Sequence, residues 1–151
     1  VHVDLADVDV DAPQLARENT SLLGLDQRVR ILQSDLFAEL DEGPYDLILS
    51  NPPYVDAHDL RSMPPEYHHE PERALAAGHD GLDFARRILR SAARFMSEDG
   101  LLIVEVGNSW QALEAAYPLV PFTWVEFEHG GEGVFTLTAR ELRQYSHCWT
   151  D

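Results

Sequence analysis

Tyr45-Asp46-Leu47-Ile48-Leu49-Ser50, followed at once by Asn51-Pro52-Pro53-Tyr54, is the stretch that decides the fold of this chain. Gly43-Pro44 sets a turn in front of it. Leu47, Ile48 and Leu49 make a nearly continuous apolar run, the pattern of a buried parallel strand. In open α/β sheets the carboxyl ends of such strands are where ligands bind. The segment that begins there, residues 51–80, has no periodicity and carries Pro52, Pro53, Pro64, Pro65 and Pro71. Structureless stretches of that length are uncommon in compact domains and are often functional.

Upstream, Val1, Val3 and Leu5 alternate with His2, Asp4 and Ala6 and predict a strand ending near Asp7. Asp11 and Pro13 mark a helix start. Ala12, Leu15, Ala16, Asn19, Leu22 and Leu23 then follow helical spacing up to a stop at Gly24. Residues 28–33 read as a second strand. Downstream, Asp80 is placed to cap a helix running to about Met96. Leu82, Ala85, Ile88, Leu89, Ala92 and Met96 line one face of it, and Arg86, Arg87, Arg90 and Arg94 form its exposed side. Asp99-Gly100 turns into a strand over 101–106, and Gly107-Asn108-Ser109 precedes a short helix through Tyr117. Strands over 122–128 and 134–138, joined by His129-Gly130-Gly131-Glu132-Gly133, predict an antiparallel hairpin. A helical turn or two is expected over 139–145. The alternation argues an α/β fold with a mostly parallel sheet and one antiparallel strand. No repeat or linker marks a second domain.

The chain's 151 residues suit one domain with a real core. Asp and Glu total 27 against 11 Lys and Arg, a net charge of −16. Such a chain is repelled by nucleic-acid phosphates and by anionic membranes, and favours basic proteins or small molecules. The single Cys148 excludes a disulfide framework and a multi-cysteine zinc site, and fits a reducing, cytoplasmic setting. No apolar run approaches the roughly 20 residues of a membrane span. The opening Val1-His2-Val3-Asp4 lacks a leader pattern and an initiating Met, which reads as a fragment of a longer protein.

Asn51-Pro52-Pro53-Tyr54 has the chemistry of a slot for a planar group bearing an NH₂. Asn51 offers a neutral oxygen acceptor. Pro53 holds Pro52 extended, and neither proline has an N–H, so the local polar groups are carbonyls. Tyr54 adds a flat aromatic face. The plainer reading is a proline-rich turn with Asn51 as an ordinary turn residue.

At this place the tetrapeptide resembles the catalytic motif of class I, S-adenosylmethionine-dependent methyltransferases that act on planar nitrogens. Two branches share it, nucleic-acid adenine-N(6) or cytosine-N(4) enzymes and protein glutamine-N(5) enzymes. Tyr67-His68-His69-Glu70-Pro71-Glu72, Ala74-Leu75-Ala76 and Gly78-His79-Asp80-Gly81-Leu82 resemble the glutamine branch. Within that branch, three runs look like the enzyme acting on large-subunit ribosomal protein three: Glu105-Val106-Gly107-Asn108-Ser109, Phe122-Thr123-Trp124-Val125-Glu126-Phe127 and Gly130-Gly131-Glu132-Gly133-Val134-Phe135. The resemblance implies a Rossmann-like sheet, with residues 1–151 as part of a catalytic domain. It implies S-adenosylmethionine as cofactor and a basic ribosomal protein as substrate, with no direct nucleic-acid or membrane partner. Asn51, Pro52, Pro53 and Tyr54 take the catalytic positions, and Asn51 also lies against the cofactor. Asp7 takes the position that binds the ribose hydroxyls, and a carboxylate at a strand end suits a diol. Asp35 and Leu36 take the positions beside the adenine; the other reading of Asp35 is a cap on a helical turn. The other reading, a solvated acidic turn, weighs heavily for Asp9 and Asp11 and less for Asp7. The family's glycine-rich loop lies about 20 residues upstream of its acidic residue in comparable folds. Six residues precede Asp7, so that loop, its strand and the family's N-terminal helical domain are expected to be missing. A release-factor enzyme, a nucleic-acid amino-methyltransferase and an inactive remnant stay open as alternatives.

His58, His68, His69 and His79 match no zinc spacing and have no cysteine beside them, so no metal is expected. Glu70-Pro71 either orients the loop or meets substrate. Trp110 and Trp124 read as packing residues. His147-Cys148-Trp149 reads as a disordered or peripheral tail.

Overall fold

The computed structural model describes residues 1–41, 43–54, 78–129 and 131–150. The chain divides into two compact units, Val1–Glu42 and Gly43–Asp151. Its strands accordingly lie in a two-stranded and a four-stranded sheet.

In the first unit, β1 (Val3–Asp7) and β2 (Val29–Gln33) pair in parallel, with Asp7 opposite Gln33. They are joined by α1 (Ala12–Leu22), which has proline in its first turn. Asp9, not Asp11, holds the start of that helix: its Oδ1 accepts from the N–H groups of Asp11 at 2.7 Å and Ala12 at 3.1 Å. These backbone donors hold the Asp9 carboxyl below its ordinary value. The chain turns after the helix at Gly24, in the left-handed region. The expected apolar face of α1 is only partly used. Pro13 and Thr20 are buried, whereas Leu15, Leu22 and Leu23 are exposed.

In the second unit the sheet order is β3-β4-β6-β5, from β3 (Tyr45–Ser50), β4 (Met96–Glu105), β5 (Thr123–Trp124) and β6 (Val134–Thr138). β3 and β4 are parallel, and β6 runs antiparallel to both β4 and β5. One antiparallel strand among mostly parallel ones is the arrangement expected from the order of elements. β5 is shorter than the predicted run, although Val125 N–H still reaches the carbonyl of Val134 at 2.8 Å.

The core of this unit lies on one face of the sheet. Leu102 and Val104 of β4 and Phe135 and Leu137 of β6 are at most 1% exposed. They share their burial with Ala85, Ile88, Leu89 and Ala92 of α2 (Asp83–Phe95) and Leu142 of α4 (Ala139–Gln144). The other face is open at β3, where Leu47 is 48% and Leu49 67% exposed. The reading of β3 as buried therefore needs correction. A continuous apolar run signals a strand, but burying both faces requires a layer on each side, and β3 is an edge strand of this sheet.

The expected turn at Asp99-Gly100 is absorbed into β4. The register jumps from Tyr45 opposite Met96 to Leu47 opposite Leu101. Asp80 does not cap α2 at its first turn. It accepts Leu82 N–H at 3.2 Å and pairs with Arg86 at 2.6 Å. Arg90, expected on an exposed face, donates through Nε to the Trp149 carbonyl at 2.9 Å.

The tail is corrected more fully. Thr138 and Glu141 close a capping box at the start of α4. After it a 3-10 turn, Ser146–Trp149, folds Trp149 back to 5% exposure. Its ring packs edge-on against Tyr117, centroids 5.0 Å apart, and its Nε1 donates to the Leu142 carbonyl at 3.0 Å. Trp110 and Trp124 are packing residues as expected, edge-on at 5.9 Å. Among the described residues, no helix is long and apolar enough to cross a membrane, and no group of three His, Cys, Asp or Glu converges to hold a metal.

Candidate active site

Asn51-Pro52-Pro53-Tyr54 leaves the carboxyl end of β3, beside the carboxyl end of β4, since Ser50 pairs with Val104. Asn51 is exposed, Pro52 buried, and Pro53 and Tyr54 half-buried. The Asn51 carboxamide makes no hydrogen bond among the described residues, so its oxygen is available to a ligand.

Tyr54 is held from both ends. Its hydroxyl donates to Glu105 Oε1 at 3.3 Å, and its backbone carbonyl accepts from Ser109 Oγ at 2.9 Å. The ring lies against Gly107, where an added methyl would stand 2.8 Å from Cδ2 and 2.9 Å from Cζ. Gly107 has a φ of +46°, a conformation that favours glycine. Gly81, at φ +74°, brings the chain before α2 against the same place: an added methyl there would collide with Ser109 Oγ and the Tyr54 carbonyl. The carbonyl of Gly133 accepts Val106 N–H at 2.7 Å, closing the far side. A single 3-10 turn, Gly107–Ser109, then leads into α3 (Trp110–Ala116).

Two separated runs, one at Gly81 and one over residues 105–109, thus meet at one tyrosine, and Gly133 backs the second. In the sequence Glu105, Gly107, Ser109, Gly81 and Gly133 stood only as parts of turns or of a resemblance, with no role at the site attached. The signal that could have marked Gly107 is a glycine two residues past the end of β4, between Glu105 and Ser109; Gly81 stands two residues before α2 and Gly133 directly before β6.

In the first unit, Asp7 and Asp35 flank the carboxyl ends of the paired strands, and Ser34 N–H donates to the Asp7 carbonyl at 2.8 Å. One Asp7 carboxylate oxygen accepts Asp9 N–H at 2.9 Å. The other has no hydrogen-bond partner among the described residues. Ser34 closes the turn after β2: its Oγ accepts Glu39 N–H at 3.0 Å and donates to the Leu36 carbonyl at 2.9 Å. Leu36 sits at φ +52°, a strained conformation for a branched side chain, and is half-buried. Asp35 is exposed beside it.

Tyr67 to Glu72, Glu70-Pro71 among them, Ala74-Leu75-Ala76, His58, His68 and His69 lie outside the described residues. His79 is exposed.

Residues 1–66 match the family model described as methyltransferase small domain. The chain is 51% identical over 148 residues to the ribosomal protein uL3 glutamine methyltransferase of Francisella tularensis subsp. tularensis, covering 98% of this chain and 47% of that protein. It is 51% identical over 140 residues to the protein of the same name from Neisseria meningitidis serogroup A, covering 93% of this chain and 46% of that one. The chain therefore spans about half the length of these relatives. Among solved structures, a methyltransferase from Pyrococcus furiosus superposes with a TM-score of 0.62 at 18% identity, over 91% of this chain and 62% of that one. Sequence likeness thus runs to a methyltransferase domain over residues 1–66 and to glutamine methyltransferases over most of this chain, and the fold is the Rossmann-like α/β fold of the solved methyltransferase.

Proposed function

We propose that the protein carrying this chain methylates the side-chain amide nitrogen of a glutamine in a basic ribosomal protein, uL3 by the relatives' name, with S-adenosylmethionine as donor. Residues 1–151 form part of its catalytic domain. The observation that carries this reading is the exposed Asn51 oxygen at the end of β3, next to a tyrosine clamped by Glu105 and Ser109. The net charge of −16 suits a basic protein substrate and disfavours nucleic acid. A cytoplasmic setting fits the lone Cys148.

The residues present fit the cofactor's chemistry. Asp7 keeps one carboxylate oxygen for a ribose diol, Asp35 offers a carboxylate to the adenine amine, and Leu36 offers an apolar wall to the ring. When bound, S-adenosylmethionine supplies a methyl group already activated on a sulfonium.

An amide nitrogen is a weak nucleophile because its lone pair is delocalised into the carbonyl. Asn51 Oδ1 and the Pro52 carbonyl accept the two amide hydrogens and gather partial negative charge around a nitrogen that turns positive during transfer. Pro53 keeps that carbonyl extended, and Tyr54 lies along the amide plane. Holding the nitrogen in line supplies roughly 7–11 kcal/mol. The amide proton then leaves to water, so no strong base is needed.

The test is methyl transfer by the intact protein to purified uL3, with DNA as a parallel acceptor. Asn51→Ala should lower kcat about 100-fold with little change in the KM for uL3. Asn51→Asp keeps an acceptor but adds a charge beside the sulfonium, and should also lose turnover. Parental rates in either variant would sink the slot. Transfer to DNA alone would move the protein to the nucleic-acid branch.

A further inference from the structure

We propose that Asp80 and Arg86 are positioning residues for the methyl transfer: their ion pair holds the turn at Gly81 against the carbonyl of Tyr54, the far end of the Asn51–Tyr54 turn. This rests on reading Asn51 to Tyr54 as the amide slot.

The pair fixes one turn of backbone from both sides. Arg86 Nη1 donates to Asp80 Oδ1 at 2.9 Å, and Nη2 donates to Oδ2 at 2.6 Å. Oδ1 also accepts Leu82 N–H at 3.2 Å, and the Leu82 carbonyl accepts Arg86 N–H at 2.9 Å. Leu82 itself is 0% exposed. Gly81 therefore lies between a carboxylate gripped from α2 and a leucine sunk in the core. At φ +74° it has no room to spare: an added methyl would collide with Ser109 Oγ and with the Tyr54 carbonyl. An exposed ion pair of a single contact would hold such a turn weakly. This one is bidentate and half-buried, the geometry in which guanidinium and carboxylate bind each other best.

The consequence falls on the acceptors of the slot. Asn51 Oδ1 and the Pro52 carbonyl serve the transfer only while the turn that bears them stays in place, and a displacement of about 1 Å caused far from the reacting atoms can cost about 100-fold in rate. One end of that turn is fixed by β3, where Ser50 pairs with Val104 of β4. The other end is the Tyr54 carbonyl, which takes the Ser109 hydroxyl at 2.9 Å and abuts Gly81. Ser109 comes from the turn after β4 and Gly81 from the turn before α2, so two separate elements meet on one oxygen. Without Arg86 the Gly81 turn is loosened from α2 and no longer backs that oxygen firmly.

The test is methylation of purified uL3 by the intact protein, with kcat counted per S-adenosylhomocysteine site titrated by calorimetry, so that unfolded molecules do not enter. Arg86→Gln and Asp80→Asn should each lower kcat about tenfold, with the KM for uL3 little changed. Their double variant should be no slower than the slower single one. A merely structural role would leave the effects of Arg86→Gln and Ser109→Ala on kcat multiplying. Acting on one carbonyl, the two should instead combine to less than the product of their separate effects. An unchanged kcat in Arg86→Gln, or multiplying effects in either pair, would overturn the proposal. If the wild type methylates no uL3, the amide-slot reading falls. The coupling of Arg86→Gln to Ser109→Ala is then read in urea midpoints, where purely additive shifts would overturn the contact itself.

Discussion

Ser109 Oγ donates a hydrogen bond to the backbone carbonyl of Tyr54 at 2.9 Å, across 55 positions of chain. It ties the end of the Asn51–Tyr54 turn to the turn after β4, and Ser109 is only 7% exposed. Ser109→Ala leaves a part-buried carbonyl without this donor, worth about 1 kcal/mol. We expect a small loss of stability and a several-fold fall in kcat. Steady-state kinetics beside a denaturation curve checks this, and an unchanged kcat would show that the tie does not serve the slot.

Gly107→Ala should be worse. The substitution places a side chain at φ +46° and drives a methyl into the Tyr54 ring. The conformation alone costs roughly 1–2 kcal/mol. The denaturation midpoint should drop clearly, and activity should fall further than in Ser109→Ala. A variant as stable and active as the parent would mean that the ring does not rest on Gly107.

The Asp80–Arg86 pair predicts a pH dependence. Hydrogen bonds from Arg86 hold the Asp80 carboxyl below its ordinary value, and the same pair raises Arg86, which stays charged. A folded-state pKa lowered in this way contributes stability above the unfolded carboxylate range, and that contribution is lost as pH falls through the folded value. Asp80→Asn should therefore be less stable than wild type near neutrality, with the gap closing in acid. Unfolding free energies measured from pH 7 down to pH 3 read this directly, and a gap that stays constant with pH would refute the pairing.

Trp149 predicts that the tail is structural. Its ring packs on Tyr117, and its backbone carbonyl holds Arg90. Trp149→Ala should cost about 3–5 kcal/mol. Thermal and urea unfolding measure it, and a loss below about 1 kcal/mol would return the tail to the periphery.

The proposed place of Asp7 at the ribose is testable with a product analogue. Asp7→Asn keeps an acceptor for Asp9 N–H but removes the charge offered to a ribose diol. Calorimetry with S-adenosylhomocysteine should show affinity weakened roughly 10–100-fold, with the melting temperature nearly unchanged. Unaltered affinity would remove Asp7 from the cofactor site.

Much of this was legible along the chain because it is local. The apolar run of residues 45–50 predicts β3 with the bounds Tyr45–Ser50, and Pro13 with Gly24 brackets α1. The hairpin signal correctly reverses one strand, since a connection so short allows no crossover. The motif after β3 was legible too, because strand end, Asn and two prolines are neighbours in sequence.

What the tertiary structure alone decided is what depends on distant partners. The exposure of Leu49 follows from its face of β3 having no covering layer among the described residues, and apolar spacing does not report whether a face is covered. The burial of Trp149 depends on Tyr117, Leu142 and Arg90 reaching it from other elements. The seat of Tyr54 is assembled from Gly81, Glu105, Gly107 and Ser109, all at least 27 positions away, and their order in the chain holds no trace of their distances. Sequence by itself determined the element types and the place of the motif at a strand end, because periodicity and backbone restriction act between neighbours. Folding decided which side chains hold that motif, because contact across a sheet depends on how strands pair and not on how residues follow one another.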